Sequence, residues 1–361
     1  MYKIAVYTIA LNEEQHCERW ANSVKDADYL VVVDTGSTDN TVKKLKSLGV
    51  NVYELTISPW RFDEARNSAL SILPIDTDIC ISMDMDEFME EGWRKKVENA
   101  WVSNTTRLAY TYVFDYQTDG PNNGFYSDKI HSRHGYEWRR PVHETIFPIK
   151  GFDEVISSDL HIIMNQIQDR TKPTRNNYLS LLKTAYDEDK NDSQISFWYG
   201  RELMNKGDDS NKNDAIAIFN HYLNLPTSKW NAEKSEALIY LSRLDQFHGW
   251  EYLVRASITE PERREVWLEI VNYCYARHDW LNLLWASING INKSKWQGSY
   301  LDKKESWGPQ LHDLGSLAAY HLGWYEKAVE FANEAILQSP NDDRLKTNLS
   351  YYDQKLRHRN K

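Results

Sequence analysis

The sequence is poor in cysteine, with three in 361 residues. Cys17, Cys80 and Cys274 lie far apart in apolar or helical contexts and form no CxxC pair. That spacing excludes a disulfide framework and suits reduced, buried thiols in a cytosolic protein. No apolar run approaches the roughly 18 residues that a membrane span needs. The N-terminal stretch "MYKIAVYTIALNEEQ" reaches carboxylates too soon for a signal peptide. Positive charge is also short: 43 Lys and Arg stand against 53 Asp and Glu, a formal net charge of −10. A chain so acidic lacks the basic face that a phosphate backbone requires, which argues against nucleic acid as the main partner.

Aromatic residues, by contrast, are plentiful, with 14 Trp and 22 Tyr. Their faces suit sugar rings as well as helix–helix packing. The first 90 residues alternate between two textures. Short apolar runs at 3–10, 29–34, 51–55 and 78–84 have strand length, and polar stretches with helical spacing at 13–25, 38–48 and 62–73 lie between them. Strand, helix, strand, repeated, predicts a parallel sheet with helices on its faces. Such sheets bind ligands at the carboxyl ends of their strands. The chemistry-bearing residues fall there: "LNEE" after the first run, "DTGSTDNT" at the end of the second, "DMDEF" at the end of the fourth. In "DTGSTDNT", Gly36 permits a tight turn, Ser37 or Thr38 can cap the next helix, and Asp39 suits its positive end. Asp34 is not needed for that punctuation and points toward the crevice.

Within "ISMDMDEF" (81–88), Asp84, Asp86 and Glu87 fall within four positions. Carboxylates this close repel and raise one another's pKa. A divalent cation resolves the repulsion. Mg²⁺ or Mn²⁺ takes carboxylate oxygen and keeps positions open for phosphate, so the knot suits a nucleotide diphosphate and transfer of the group it carries. Farther on, "RLAYTYVFDY" (107–116) reads as a strand and "DGPNNGF" (119–125) as a turn. The segment 129–147 mixes three His, four basic residues and aromatics in the manner of a site wall.

The texture changes at the polar stretch 169–178, and almost only helices follow. Segments 198–226, 266–288 and 315–349 each offer a helix, a turn and a second helix, with small residues where the two cross. That is the tetratricopeptide pattern, clearest in the last copy, and such units stack to bury a continuous core. The chain is therefore expected to hold an α/β domain over 1–168 and a helical-repeat domain over 169–361.

The motifs "IALNEE" (9–14), "VVVDTGSTDNT" (31–41), "FDEARNSAL" (62–70), "ISMDMDEF" (81–88) and "VHE" (142–144), in this order, resemble glycosyltransferase family 2, of GT-A fold. The helical tail is similar to the repeat-bearing C-terminal halves of a bacterial and phage branch of that family. The resemblance covers roughly the first 165 residues. It implies a metal-dependent, inverting transferase that moves a sugar from a nucleotide-diphosphate donor, UDP by default, to an unidentified acceptor. Thr8, Ala10, Glu13, Asp34, Arg66, Asp84 and Met85 would line the donor, with Arg66 reaching toward the diphosphate or the acidic knot. Asp86, Asp84 and His161 would hold Mn²⁺ or Mg²⁺. Glu144 would be the catalytic base, with His143 beside it. Many relatives carry an "ED" pair where this chain reads "RPVHETIF", which leaves Asp153 and Glu137 as fallbacks. A structural reading pairs Glu144 with Arg139 or Arg140 instead. The acceptor would be a glycan, a protein or another molecule, and the repeats could dock a protein partner. The expected setting is the cytoplasm of a bacterium or a phage-infected cell.

Two other functions fit less well. A repeat-protein adaptor with a dead N-terminal domain would not need Asp34, the acidic knot and Glu144 together. A nucleotidyltransferase usually carries a Gly-rich basic loop after its first strand, where this chain has the acidic "ALNEEQH".

Overall fold

The computed structural model describes residues 2–113, 124–149, 153–164 and 178–359. The alternating N-terminal texture folds as β1 (Ile4–Ala10), α1 (Cys17–Ser23), β2 (Tyr29–Asp34), α2 (Thr41–Ser47), β3 (Asn51–Glu54), α3 (Phe62–Ile72) and β4 (Ile79–Ser82). Then come β5 (Glu87–Met89), α4 (Trp93–Ala100), β6 (Arg107–Val113), β7 (Gly124–Ser132), β8 (Tyr136–Arg139), β9 (Thr145–Pro148) and β10 (Val155–Met164). Eight strands form one sheet in the order β3-β2-β1-β4-β7-β6-β10-β5, and β8 pairs with β9 as a separate hairpin. The first four strands are parallel to one another. Antiparallel pairing of β7 with both β4 and β6 makes the sheet mixed.

Strand side chains alternate between faces, so one strand feeds two cores. Along β1, Ile4 and Val6 join Trp20, Leu45, Trp93 and Val97 from α1, α2 and α4. Ala5 and Tyr7 join Ala69, Leu70, Trp138 and Ile146 from α3 and the β8–β9 hairpin. The sheet is thus covered on both sides, which is why β1, β2 and β4 are apolar along most of their length. β1 lies between β2 and β4. The chain winds one way from β1 to β2 and the other way to β4, so the carboxyl ends of β1 and β4 flank a topological switch point, where such sheets open a crevice.

The predicted strand 107–116 is β6 over its described part, and the predicted turn 119–125 lies mostly outside the described residues. So does the polar stretch 169–178, apart from Tyr178. The chain forms two compact units, one of residues 1–188 with 298–300, the other of residues 189–297 with 301–361. The first ends with α5 (Tyr178–Glu188).

The second unit is helical: α6 (Ser193–Lys206), α7 (Asp209–Asn224), α8 (Asn231–Leu244), α9 (Gly249–Thr259), α10 (Arg264–Tyr275), α11 (Trp280–Lys293), α12 (Gln310–His321), α13 (Tyr325–Gln338) and α14 (Asp343–Arg359). Most successive helices pack against each other across short turns, as the repeat pattern predicts, while the longer stretch 294–309 joins α11 to α12. Side chains of Asp192, Asp208 and Asp279 accept from backbone N–H groups at the starts of α6, α7 and α11, satisfying otherwise orphaned donors. Helices approach closely where a side chain is missing: a Cβ on Gly290 would lie 2.6 Å from Trp267 Cβ, and one on Gly315 would lie 2.8 Å from Phe331. Arg263, fully buried, pairs with buried Glu236 and donates to the carbonyls of Ala232 and Leu301. All three cysteines are free and buried. No described helix is long and apolar enough to cross a membrane.

Candidate active site

The loops after β1 and β2 are tied together. Asn12 Oδ1 accepts from the Thr38 N–H at 2.8 Å, and the Asn12 N–H donates to Ser37 Oγ at 2.8 Å. The Glu13 N–H donates to Thr41 Oγ1, also at 2.8 Å. Ser37 and Thr38 are therefore spent on the neighbouring loop. The start of α2 is served by Asp39 instead, whose Oδ1 accepts from the Thr41 N–H at 2.9 Å. Sequence reasoning chose the wrong cap because the loop contact is long-range.

Asp34 ends β2 and is 2% exposed. Its Oδ2 accepts from the N–H groups of Gly36 and Ser37 at 3.0 and 2.9 Å. Its Oδ1 is buried and has no hydrogen-bond partner among the described residues. A buried carboxylate oxygen without a donor is costly and marks a place where a ligand donor is wanted. Beside it, Thr8 is buried within β1, and the Ala10 carbonyl accepts from the Thr35 N–H and Oγ1. Glu13 lies near His16, at 3.9 Å.

Arg66 organises the next layer. It stands on α3 with its side chain 5% exposed. Nε donates to Glu144 Oε1 at 2.6 Å, and Nη2 donates to Asp84 Oδ1 at 2.8 Å. Nη1 reaches Ser82 Oγ at 3.3 Å, and the guanidinium lies 5.0 Å from the Trp138 ring centroid. Burial disfavours its charge, but the Asp84 and Glu144 carboxylates overcome that and hold Arg66 firmly protonated. Glu144 therefore pairs with neither neighbour that sequence offered: Arg139 pairs with Glu137, and Arg140 Nη1 donates to Thr145 Oγ1. Asp153 is engaged by Arg107 and Tyr136. The segment leading to Glu144 is strained, with Arg140 at φ 82° and His143 at φ 52°. Such conformations cluster at working sites, where the surrounding structure holds them.

Asp84 has a second cation. Lys129 Nζ on β7 lies 3.5 Å from Asp84 Oδ2. Partial desolvation would raise the Asp84 pKa, but Arg66 and then Lys129 hold it well below the usual carboxylate range. Glu87 turns inward and is 1% exposed. Its Oε2 accepts from the Asp84 N–H at 2.9 Å, closing the turn. Burial, with the charges of Asp84 and Asp86, pushes Glu87 up to about 7. The repulsion read from "DMDE" is thus present, concentrated on the one carboxylate that faces inward. Asp86 offers its carbonyl to Arg19 Nη2 at 3.0 Å.

Two expected residues lie apart from this cluster. Met85 is 2% exposed and packs in the core beneath the strand ends. His161 on β10 donates its N–H to Glu90 Oε1 at 2.7 Å and has Nδ1 at 3.1 Å from the same atom. Among the described residues no three His, Cys, Asp or Glu side chains converge as a metal cage. The hard-oxygen donors at hand are the carboxylates of Asp84 and Asp86. That is the partial set a Mg²⁺- or Mn²⁺-type ion accepts when substrate phosphates complete it. Lys129 and Arg19 were given no site role by sequence, Glu87 only its place in the acidic knot, and Lys129 gave only one signal, its place in the mixed segment 129–147.

Parts of this chain are similar to known proteins. The profile of "Glycosyl transferase family 2" matches residues 5–160. An uncharacterized glycosyltransferase of Rickettsia typhi is 32% identical over 105 residues, 29% of this chain and 35% of the relative, so the chain spans about a third of that relative's length. Among solved structures, S. aureus TarS is similar at TM-score 0.41 and 11% identity, covering 72% of this chain and 55% of TarS. MamA is similar at TM-score 0.37 and 17% identity, covering 48% of this chain and 94% of MamA.

Proposed function

We propose that this chain, which carries a glycosyl transferase family 2 domain over residues 5–160, moves a sugar from a nucleotide-diphosphate donor to an acceptor hydroxyl or amine with inversion. The observation that carries the reading is the single guanidinium of Arg66, which joins Asp84 at the strand end to Glu144 on the facing loop. It holds a donor-side carboxylate and a candidate base around one crevice.

In this reading Asp34 Oδ1 receives a hydrogen bond from the base or ribose, and Thr8, Ala10 and Glu13 line the same end. Asp86 and Asp84 would hold Mg²⁺ or Mn²⁺, which when bound supplies positive charge to the departing diphosphate. Glu144 accepts the proton of the acceptor nucleophile as the new bond forms to the anomeric carbon. The old carbon–oxygen bond breaks, and its electron pair leaves on the diphosphate. A base held at one atom and one angle is what proton transfer demands. Arg66 fixes Glu144 Oε1 and leaves Oε2 to take the proton. UDP is the default nucleotide.

The test is hydrolysis and transfer across a panel of nucleotide sugars, with Mn²⁺ or with EDTA, on wild type and Asp86→Ala. One donor should be turned over in Mn²⁺, and the variant should lose metal-dependent UDP binding by calorimetry while staying folded. Unchanged UDP affinity of the variant in Mn²⁺ would remove Asp86 from the metal site.

A further inference from the structure

The ladder between β6 and β7 slips. Leu108 pairs with Ile130, yet Tyr110 pairs with Ser127, so two steps along β6 oppose three along β7. The extra residue makes a β-bulge, a device that re-aims side chains and is common beside active sites. Asp128 and Lys129 both lie in the slipped stretch. Asp128 meets Arg107 at 3.1 Å, whereas Lys129 is delivered to Asp84 after β4.

Lys129 is loosely held where it lands. Its ammonium carries three donors, and among the described residues it reaches one acceptor, Asp84 Oδ2, at the long distance of 3.5 Å. Asp84 meanwhile keeps a shorter bond, 2.8 Å, to Arg66. The Lys129 side chain is 25% exposed against 5% for Arg66. Arg66 is fixed by three polar partners and a ring, whereas Lys129, whose charge is favoured by the Asp84 and Glu87 carboxylates, makes one long hydrogen bond among the described residues. A flexible point charge with spare donors, at the rim of an oxyanion-binding crevice, suits a multiply charged phosphate better than it suits a structural ion pair.

We propose that Lys129 is a diphosphate-holding residue of the donor site, resting on Asp84 in the free protein and transferring its ammonium to a donor phosphate oxygen on binding. This rests on the donor-site reading above. It makes part of the counter-charge for the leaving diphosphate a property of the chain itself.

A purely structural Lys129 predicts the opposite sign. If it only neutralises Asp84, Lys129→Met leaves the acidic knot more negative, so a divalent cation and any metal-bound nucleotide should bind as well as before or better. If Lys129 grips phosphate, the same change weakens UDP and inorganic pyrophosphate by roughly 10- to 100-fold and leaves UMP almost unaffected, because one charge-assisted bond is lost. Calorimetric titration of wild type, Lys129→Met and Lys129→Arg with UDP, UMP and pyrophosphate, in Mg²⁺ and in EDTA, decides. The expected result is a collapse of the UDP-over-UMP preference in Lys129→Met and its partial return in Lys129→Arg, which also serves if the methionine variant folds poorly. An unchanged preference in both variants would overturn the role of Lys129 alone. Wild type that binds none of the three probes would overturn the donor-site reading and the inference with it.

Discussion

At the scale of single residues, Glu144 and Asp84 share one guanidinium although they come from segments 60 positions apart in the chain. The pairing changes what a substitution at Glu144 should do. Glu144→Gln keeps an oxygen for Arg66 Nε but removes the charge and the proton acceptor. As the base, it should lose roughly 10²- to 10⁴-fold in kcat, the range general-base catalysis supplies, with UDP affinity nearly unmoved. Some thermal stability should go too, because Arg66 is buried and loses one of its two carboxylates. Measuring kcat and Tm on one sample separates the two effects. A lower Tm with near-normal kcat would make Glu144 a structural partner only and return attention to Glu137 and Asp153. Sequence named Arg66, Asp84 and Glu144 from their motifs. It aimed Arg66 at the diphosphate or the acidic knot but could not pair it with Glu144, because that pairing depends on α3 and the hairpin loop meeting.

At the scale of elements, a buried relay runs beneath the site. Trp138 Nε1 donates to Tyr7 Oη at 2.8 Å, and Tyr7 Oη lies 2.9 Å from His131 Nε2. His131 Nδ1 is 2.8 Å from the Ser132 carbonyl. A carbonyl only accepts, so Nδ1 carries the proton, Nε2 accepts, and Tyr7 donates. The relay ties β8, β1 and β7 together with a neutral imidazole. His131 is fully buried, and burial pulls its pKa down to about 4 from an ordinary 6.5. A depressed folded-state pKa contributes stability that is present above pH 6.5 and is lost as the pH falls toward 4, because the unfolded chain takes up the proton first. At one unit per 1.36 kcal/mol the loss approaches about 3 kcal/mol across that window. Protection factors of the β7 amides, taken relative to the intrinsic exchange rate at each pH, should fall between pH 6.5 and 4.5, and His131→Gln should flatten the dependence. An equal fall in the variant would place the acid sensitivity elsewhere. The apolar runs made β1, β2 and β4 legible as strands, because period and length are local. The β7 bulge was not legible, because it is defined only against β6.

At the scale of the whole molecule, each unit has its own core: two layers about a sheet in the first, stacked helix pairs in the second. Gly290→Ala tests the second. The added Cβ would meet Trp267 Cβ at 2.6 Å and Leu311 Cδ1 at 2.8 Å. Trp267 and Leu311 are buried, and a Cβ cannot swing aside as a side-chain tip does. Overpacking of this kind costs about 1–3 kcal/mol, which exceeds the gain of roughly 1 kcal/mol that alanine brings to a helix over glycine. Deuterium uptake should rise in α10, α11 and α12 and stay unchanged in β1, β2 and β4. No change in the helical peptides would mean that the crossing is looser than these distances state.

What the sequence determined by itself was whatever depends on neighbours along the chain. That comprises the alternation of strand and helix, the change to helical pairs, and the carboxylates gathered at strand ends. These follow from periodicity and from the cost of placing like charges together, which any fold of the chain must answer. Only the tertiary structure decided which cation answers which carboxylate. Arg66 spans Asp84 and Glu144, Lys129 comes to Asp84 from β7, and Glu87 turns inward while Asp34 keeps a bare oxygen. Electrostatic and hydrogen-bond partners act over a few ångströms, and those distances are set by sheet order and register, which no local stretch of sequence contains.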